Sequence, residues 1–148
     1  WPQLKANHPG IKWVIIGKHA DGRLKEIAKE DNQVELTGFV EDVEPYFRKS
    51  RVFITPLRFG SGIKVKVINA LYRGIPCVTT SIGTEGLKVK DGGSVFIKDQ
   101  PEAFVKAIDT LLTDKNTWEK LKTNSREIAR QYYTWEAVLE NIERAIND

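Results

Sequence analysis

The segment Pro56-Leu57-Arg58-Phe59-Gly60-Ser61-Gly62-Ile63-Lys64 passes through two glycines into a stretch with helical apolar periodicity. A turn of this kind can hold a phosphate. Free amides at a helix start carry partial positive charge, Gly60 and Gly62 present no side chain, and Ser61 can cap the helix or offer its hydroxyl. The same composition serves equally as a plain glycine-rich helix start with nothing bound, and the pattern weighs the two readings alike. Helix geometry adds a second feature: at about 100° per residue, Gly62, Lys66, Asn69 and Arg73 fall within roughly 60° on one face. The opposite side, Ile63, Val67, Ala70 and Leu71 with Ile68 alongside, predicts a wide buried stripe. A polar strip that starts at the glycine turn can follow a ligand from phosphates to ribose, or it can simply face solvent.

Two further loops carry candidate groups. In Thr80-Ser81-Ile82-Gly83-Thr84-Glu85-Gly86-Leu87, glycines and hydroxyls surround one carboxylate, which suits either a hydroxyl-binding turn or an ordinary surface loop. After the first apolar run, Gly17 would let a ligand approach the backbone closely. Its neighbours Lys18 and His19 read more readily as solvated loop residues, and the segment lacks a G-x-G-x-x-G pattern.

These loops need a scaffold, and the chain supplies one in alternation. Short β-rich runs at 11–17, 34–40, 51–57, 75–80 and 94–97 are separated by helix-like segments at 22–29, 43–49 and 63–73. Strand and helix in alternation predict an α/β fold, a Rossmann-like doubly wound parallel sheet covered on both faces. In such sheets ligands bind beyond the carboxyl ends of the strands, where all three loops fall. After Asp99 only helices are expected. The first carries an apolar stripe of Phe104, Ala107, Ile108, Leu111 and Leu112, the second Trp118, Leu121, Ile128, Ala129 and Tyr132. The last carries Trp135, Val138, Leu139, Ile142, Ala145 and Ile146, and is expected to close the domain.

Length and composition set the frame. The 148 residues, 41% hydrophobic and 29% charged, suit one globular unit, 1–148. A net charge of +3 with scattered lysines gives no nucleic-acid footprint, although it is compatible with anionic ligands or an anionic membrane surface. No apolar run approaches the roughly 20 residues that a membrane-spanning helix requires. The lone Cys77, in an apolar string, reads as a small buried hydrophobe in a reducing, cytoplasmic setting. No His, Cys or Asp cluster shows metal-ligand spacing. With no methionine and a helix-like start at Trp1, the chain reads as a fragment of a larger protein.

The run from Gly60 to Thr80, continued by Gly83-Thr84-Glu85-Gly86-Leu87, resembles the donor-site signature of GT-B glycosyltransferases of the family 4, or group 1, type. The likeness extends upstream through Gly38-Phe39-Val40-Glu41-Asp42-Val43 and downstream to Trp135, and so spans essentially the whole chain. It implies the C-terminal half of a GT-B enzyme of polysaccharide biosynthesis. That half would grip a nucleoside-diphosphate sugar and present it, with retention of configuration, to an acceptor held by a separate N-terminal domain. The resemblance also implies chemistry without a metal or other cofactor, which agrees with the absence of a cluster at metal-ligand spacing.

The implied donor-binding set is Gly17, Phe39, Val40, Gly60, Ser61, Gly62, Ile63, Lys64, Lys66, Asn69, Thr84 and Glu85, with the catalytic residues unassigned. In the family's terms the 60–64 turn receives diphosphate and sugar, the 38–40 loop flanks the base, and position 69 faces the ribose. Glu85 and its neighbours lie near the donor sugar. Two glutamates eight positions apart are frequent in the family; here those positions hold Ser61 and Asn69. The family's basic pair for the diphosphate falls before the first residue of this sequence, with Lys64 and Lys66 as partial substitutes. The competing readings are a non-enzymatic nucleotide-binding regulatory module of similar fold and one half of a sugar-nucleotide epimerase.

Overall fold

The computed structural model describes the backbone of residues 1–147 and, in the last helix, the side chains of 135–139, 143 and 146. The chain forms two compact units, Trp1–Tyr46 and Phe47 onward.

In the first unit, helix α1 (Pro2–Asn7) precedes strand β1 (Trp13–Ile16), helix α2 (Gly22–Glu30) and strand β2 (Val34–Gly38). β1 and β2 pair in parallel, with an irregularity between Ile15 and Ile16 that sets Ile16 opposite Gly38. The side chain of Asp21 caps α2 by accepting from the Leu24 amide at 2.7 Å. Val14 and Ile16 of β1 are exposed. The amino-terminal end is tied by Asp31, whose carboxylate accepts from the Trp1 indole at 2.7 Å and pairs with Lys5 at 2.9 Å.

The helix α3 (Glu44–Lys49) leads into the second unit, where β3 (Phe53–Thr55), β4 (Cys77–Thr79) and β5 (Phe96–Ile97) form a parallel sheet in that order. Every residue of β4 is buried, as a central parallel strand requires. Helix α4 (Val65–Arg73) crosses from β3 to β4 and buries Val67, Ala70 and Leu71. It stops at Gly74, whose φ of 67° closes a left-handed cap: the Gly74 amide donates to Leu71 at 2.9 Å and the Ile75 amide to Ala70 at 3.0 Å.

Helix α5 (Pro101–Thr113) buries Phe104, Ala107, Ile108 and Leu111, while Leu112 is only half-buried. Helix α6 (Lys115–Tyr132) buries Leu121, Ser125 and Ala129, and its Ala129 joins Val67, Leu71, Cys77 and Val95 in the core. Arg126 reaches back to the Arg73 carbonyl, fastening α6 to the end of α4. In α7 (Trp135–Asn147) the described residues of the expected apolar stripe are exposed. Trp135 is 80% exposed and Val138, Leu139 and Ile146 are exposed as well, while Ile142 and Ala145 lie outside the described residues.

Candidate functional site

The glycine turn follows the carboxyl end of β3, but α4 begins two residues later than its sequence period implies. Its N-cap is Lys64 rather than Ser61, and no side chain caps it. This corrects two expectations: Gly62 precedes the helix instead of sharing its polar face, and Ile63 is 67% exposed instead of lining the buried stripe. The cause is the backbone. Gly60 and Gly62 adopt φ of 133° and 78°, which a helix cannot accept and which side chains other than glycine's rarely adopt.

Lys64 holds this conformation. Its side chain is 5% exposed, and the ammonium folds back to donate to the carbonyls of Gly60 at 3.0 Å and Gly62 at 2.9 Å. In a planar trans peptide the N–H points opposite to the C=O. The amides of Ser61 and Ile63 therefore point away from Lys64, and among the described residues neither finds a backbone acceptor. Phe59, Ser61 and Ile63 are exposed around them.

The loop after β4 sits on a hydroxyl platform. Thr55 and Thr79, buried at the ends of β3 and β4, share a hydrogen bond of 2.8 Å between their hydroxyls, and Thr79 also donates to the Thr55 carbonyl at 3.1 Å. Thr80 donates to the Leu57 carbonyl at 2.6 Å and accepts from the Gly83 amide at 3.3 Å, joining the two loops. Gly83 lies directly over the platform, where a Cβ would overlap the Thr79 hydroxyl. A 3-10 turn, Ile82–Thr84, then delivers Glu85, whose side chain is 68% exposed with Oε2 4.0 Å from the Lys64 ammonium. Thr84 is half-buried and donates to the Ser81 carbonyl at 3.0 Å.

On α4, Lys66 is exposed and Asn69 half-buried. Asn69 has a partner within the helix: Arg73 donates to its carbonyl at 3.1 Å and to its side-chain oxygen at 3.3 Å. The Arg73 guanidinium in turn lies 4.6 Å from the centre of the Phe47 ring.

In the first unit, the parallel pairing brings Gly17 and the 38–40 loop to the same end of the sheet. Gly17 donates to the Gly38 carbonyl at 3.0 Å, and the Lys18 ammonium stands 4.5 Å over the Phe39 ring, which is 65% exposed. Val40 is half-buried. His19 takes a φ of 62°, a left-handed conformation for a residue with a side chain.

The structure therefore groups Gly60, Ser61, Gly62, Ile63, Lys64, Thr84 and Glu85 at the carboxyl ends of β3 and β4, and Gly17, Phe39 and Val40 at those of β1 and β2. Sequence reasoning missed the threonine platform. Its signal was available as Thr55 and Thr79 at matching strand ends, though only the strand register pairs them. Cys77 is fully buried, and burial pushes its thiol well above the usual range. Among the described residues no group of His, Cys, Asp and Glu could hold a metal ion, and no helix is long and apolar enough to cross a membrane.

Known proteins share this fold. Residues 1–114 match the family model described as "Glycosyl transferases group 1". A 44.6 kDa protein in the cps region of Klebsiella pneumoniae is 24% identical over 95% of this chain, which spans 38% of that relative's length. Among solved structures, Anabaena HepE in complex with UDP and glucose superposes with a TM-score of 0.78 at 19% identity, covering 99% of this chain and 43% of its own. The C-terminal domain of LpcC, a group 1 family protein from Francisella tularensis, gives 0.76 at 17% identity, covering 90% of this chain and 75% of its own. The glycine turn, the helix behind it and the loop after β4 thus sit in a fold of known kin, and the chain belongs to the group 1 glycosyltransferases, built as one half of a GT-B fold.

Proposed function

We propose that this domain binds the diphosphate of a nucleoside-diphosphate sugar on the 60–63 turn and presents the sugar to an acceptor held by another domain. The observation that carries this reading is the turn itself: two outward-facing amides that find no backbone acceptor among the described residues, at a strand end, just ahead of a helix. When the bond from anomeric carbon to phosphate oxygen breaks, the departing diphosphate gains negative charge. Fixed amides and the positive end of α4 stabilise that charge without reorganising. HepE, whose solved complex holds UDP and glucose, supports UDP as the first probe.

Transfer proceeds with retention, needs no metal, and involves the donor base at Phe39 and Val40 and the ribose at Asn69. The chain spans about two fifths of the length of the curated relatives it matches, so acceptor and catalytic apparatus are assigned to the remainder of a larger protein. Localisation is cytoplasmic, with peripheral membrane contact through that larger protein.

The test is calorimetric titration of UDP and of UDP-sugars into the chain and into Gly62→Val. Weak UDP binding is expected in the parent and none in the variant, with both folded. A Gly62→Asn control separates backbone strain from obstruction, since asparagine tolerates the φ of 78° better than a β-branched residue. Unchanged affinity in Gly62→Val defeats the phosphate assignment, and sugar transfer by the chain alone defeats the division of labour.

A further inference from the structure

Lys64 carries the only buried ammonium among the described residues, and its partners do not neutralise it. Two of its three donors go to uncharged glycine carbonyls. The nearest carboxylate oxygen, on Glu85, stands at 4.0 Å, close enough to attract and too far to accept a hydrogen bond. A buried charge without a hydrogen-bonded counter-ion is expensive to maintain, and that cost falls when an anion comes near. The ammonium lies on the inner side of the turn whose outer side offers the Ser61 and Ile63 amides. The amides therefore favour an anion on the outer face, and the ammonium attracts it through the turn. Lys66, exposed on α4, is screened by water and contributes little.

We infer that Lys64 is the positioning residue of the phosphate site, orienting the turn and supplying its fixed positive charge, and that Glu85 is a displaceable counter-ion. This rests on the donor-binding reading and deepens it. Glu85 is mostly exposed, so its carboxylate can leave without opening the core, whereas the Lys64 side chain is enclosed and stays. Loop 80–87 would then respond to the diphosphate through this one ion pair. A bound phosphate weakens the attraction between Lys64 and Glu85, and Glu85 in turn weakens phosphate binding.

The experiment is UDP titration of the chain, of Lys64→Met, Lys64→Arg and Glu85→Gln, and of the double variant, with circular dichroism reporting the fold. UDP lacks the sugar, so a contact of Glu85 with the sugar does not enter. Lys64→Met should weaken UDP binding about ten-fold, and Lys64→Arg should recover part of that loss because the charge remains. Glu85→Gln should tighten UDP binding about three-fold, and the gain should vanish in a Lys64→Met background. If Lys64→Met does not fold, Glu85→Gln alone decides, because its exposed side chain leaves the fold intact. UDP affinity in Glu85→Gln equal to or below that of the parent overturns the inference, as does an unchanged affinity in folded Lys64→Met. A parent that binds neither UDP nor GDP nor ADP overturns the donor-binding reading and this inference together.

Discussion

Adding one methyl group at Gly83 should be among the most damaging single substitutions in the second unit. The Cβ of Gly83→Ala would overlap the Thr79 hydroxyl and stand 3.2 Å from that of Thr55 and 3.3 Å from the Thr79 Cβ. All three groups are locked: Thr55 and Thr79 are buried at paired strand ends and hydrogen-bonded to each other at 2.8 Å. Backbone conformation adds nothing to the cost, because Gly83 does not lie in the left-handed region. Overpacking a close-packed site costs about 1–3 kcal/mol, and disrupting a buried hydroxyl pair costs about 1 kcal/mol more. Gly83→Ala should therefore destabilise by about 3 kcal/mol, a large share of the roughly 5–15 kcal/mol typical of a domain. Thr79→Ala alone, which forfeits its bonds to the hydroxyl and carbonyl of Thr55, should cost about 2 kcal/mol. The double variant should cost only slightly more than Thr79→Ala, because the new methyl enters space the hydroxyl has left and keeps only the contacts at 3.2 and 3.3 Å. That is a favourable coupling of about 3 kcal/mol. Urea unfolding of the four proteins, compared at constant m, measures it. A Gly83→Ala variant within about 0.5 kcal/mol of the parent, or additive single costs, would refute the steric account.

The remaining predictions probe other parts of the molecule. Asn69→Glu should convert the contact from Arg73 into an i,i+4 ion pair and stabilise α4 by about 0.5 kcal/mol. A carboxylate that also faces ribose should tighten UDP binding by up to about five-fold, and equal dissociation constants in the two folded proteins would remove Asn69 from the site. The Asp31 carboxyl is held down to about 2 by the Lys5 ammonium, the Trp1 indole and the Gln33 amide. Its folded value lies below the unfolded 3.8, so the stability it contributes is present above pH ~4 and is lost as pH falls through about 2. Fluorescence of the paired Trp1 and Trp13 during acid titration should show that loss in the parent and a flatter acid limb in Asp31→Asn. An identical acid limb in both proteins would discard the carboxylate as its origin.

The order of strands and helices was readable because each carries its own periodicity. The β4 run Cys77-Val78-Thr79 and the α4 positions Val67, Ala70 and Leu71 are buried as their pattern demands. The exposed apolar stripe of α7 was not readable, since periodicity shows that a face is apolar and not what meets it. The start of α4 was misjudged for a related reason. Ile63 and Gly62 fit the helical period, but Gly60 and Gly62 occupy left-handed backbone that ends the helix before the period does.

Lys64 shows where reading residue by residue falls short at the site. Helical spacing from Gly62 leaves it off the polar strip, and a lysine at a helix start ordinarily points into water. Its burial follows from the two glycine carbonyls turning inward, and those carbonyls turn inward only because residues without side chains can take φ of 133° and 78°. Glycines and lysine are thus one unit: the glycines permit the turn, and the lysine selects this conformation from the many that glycine allows. On this argument, Gly60→Ala should do more than block a ligand. It would release the ammonium from its carbonyls toward Glu85, 4.0 Å away, and turn a displaceable counter-ion into a fixed one.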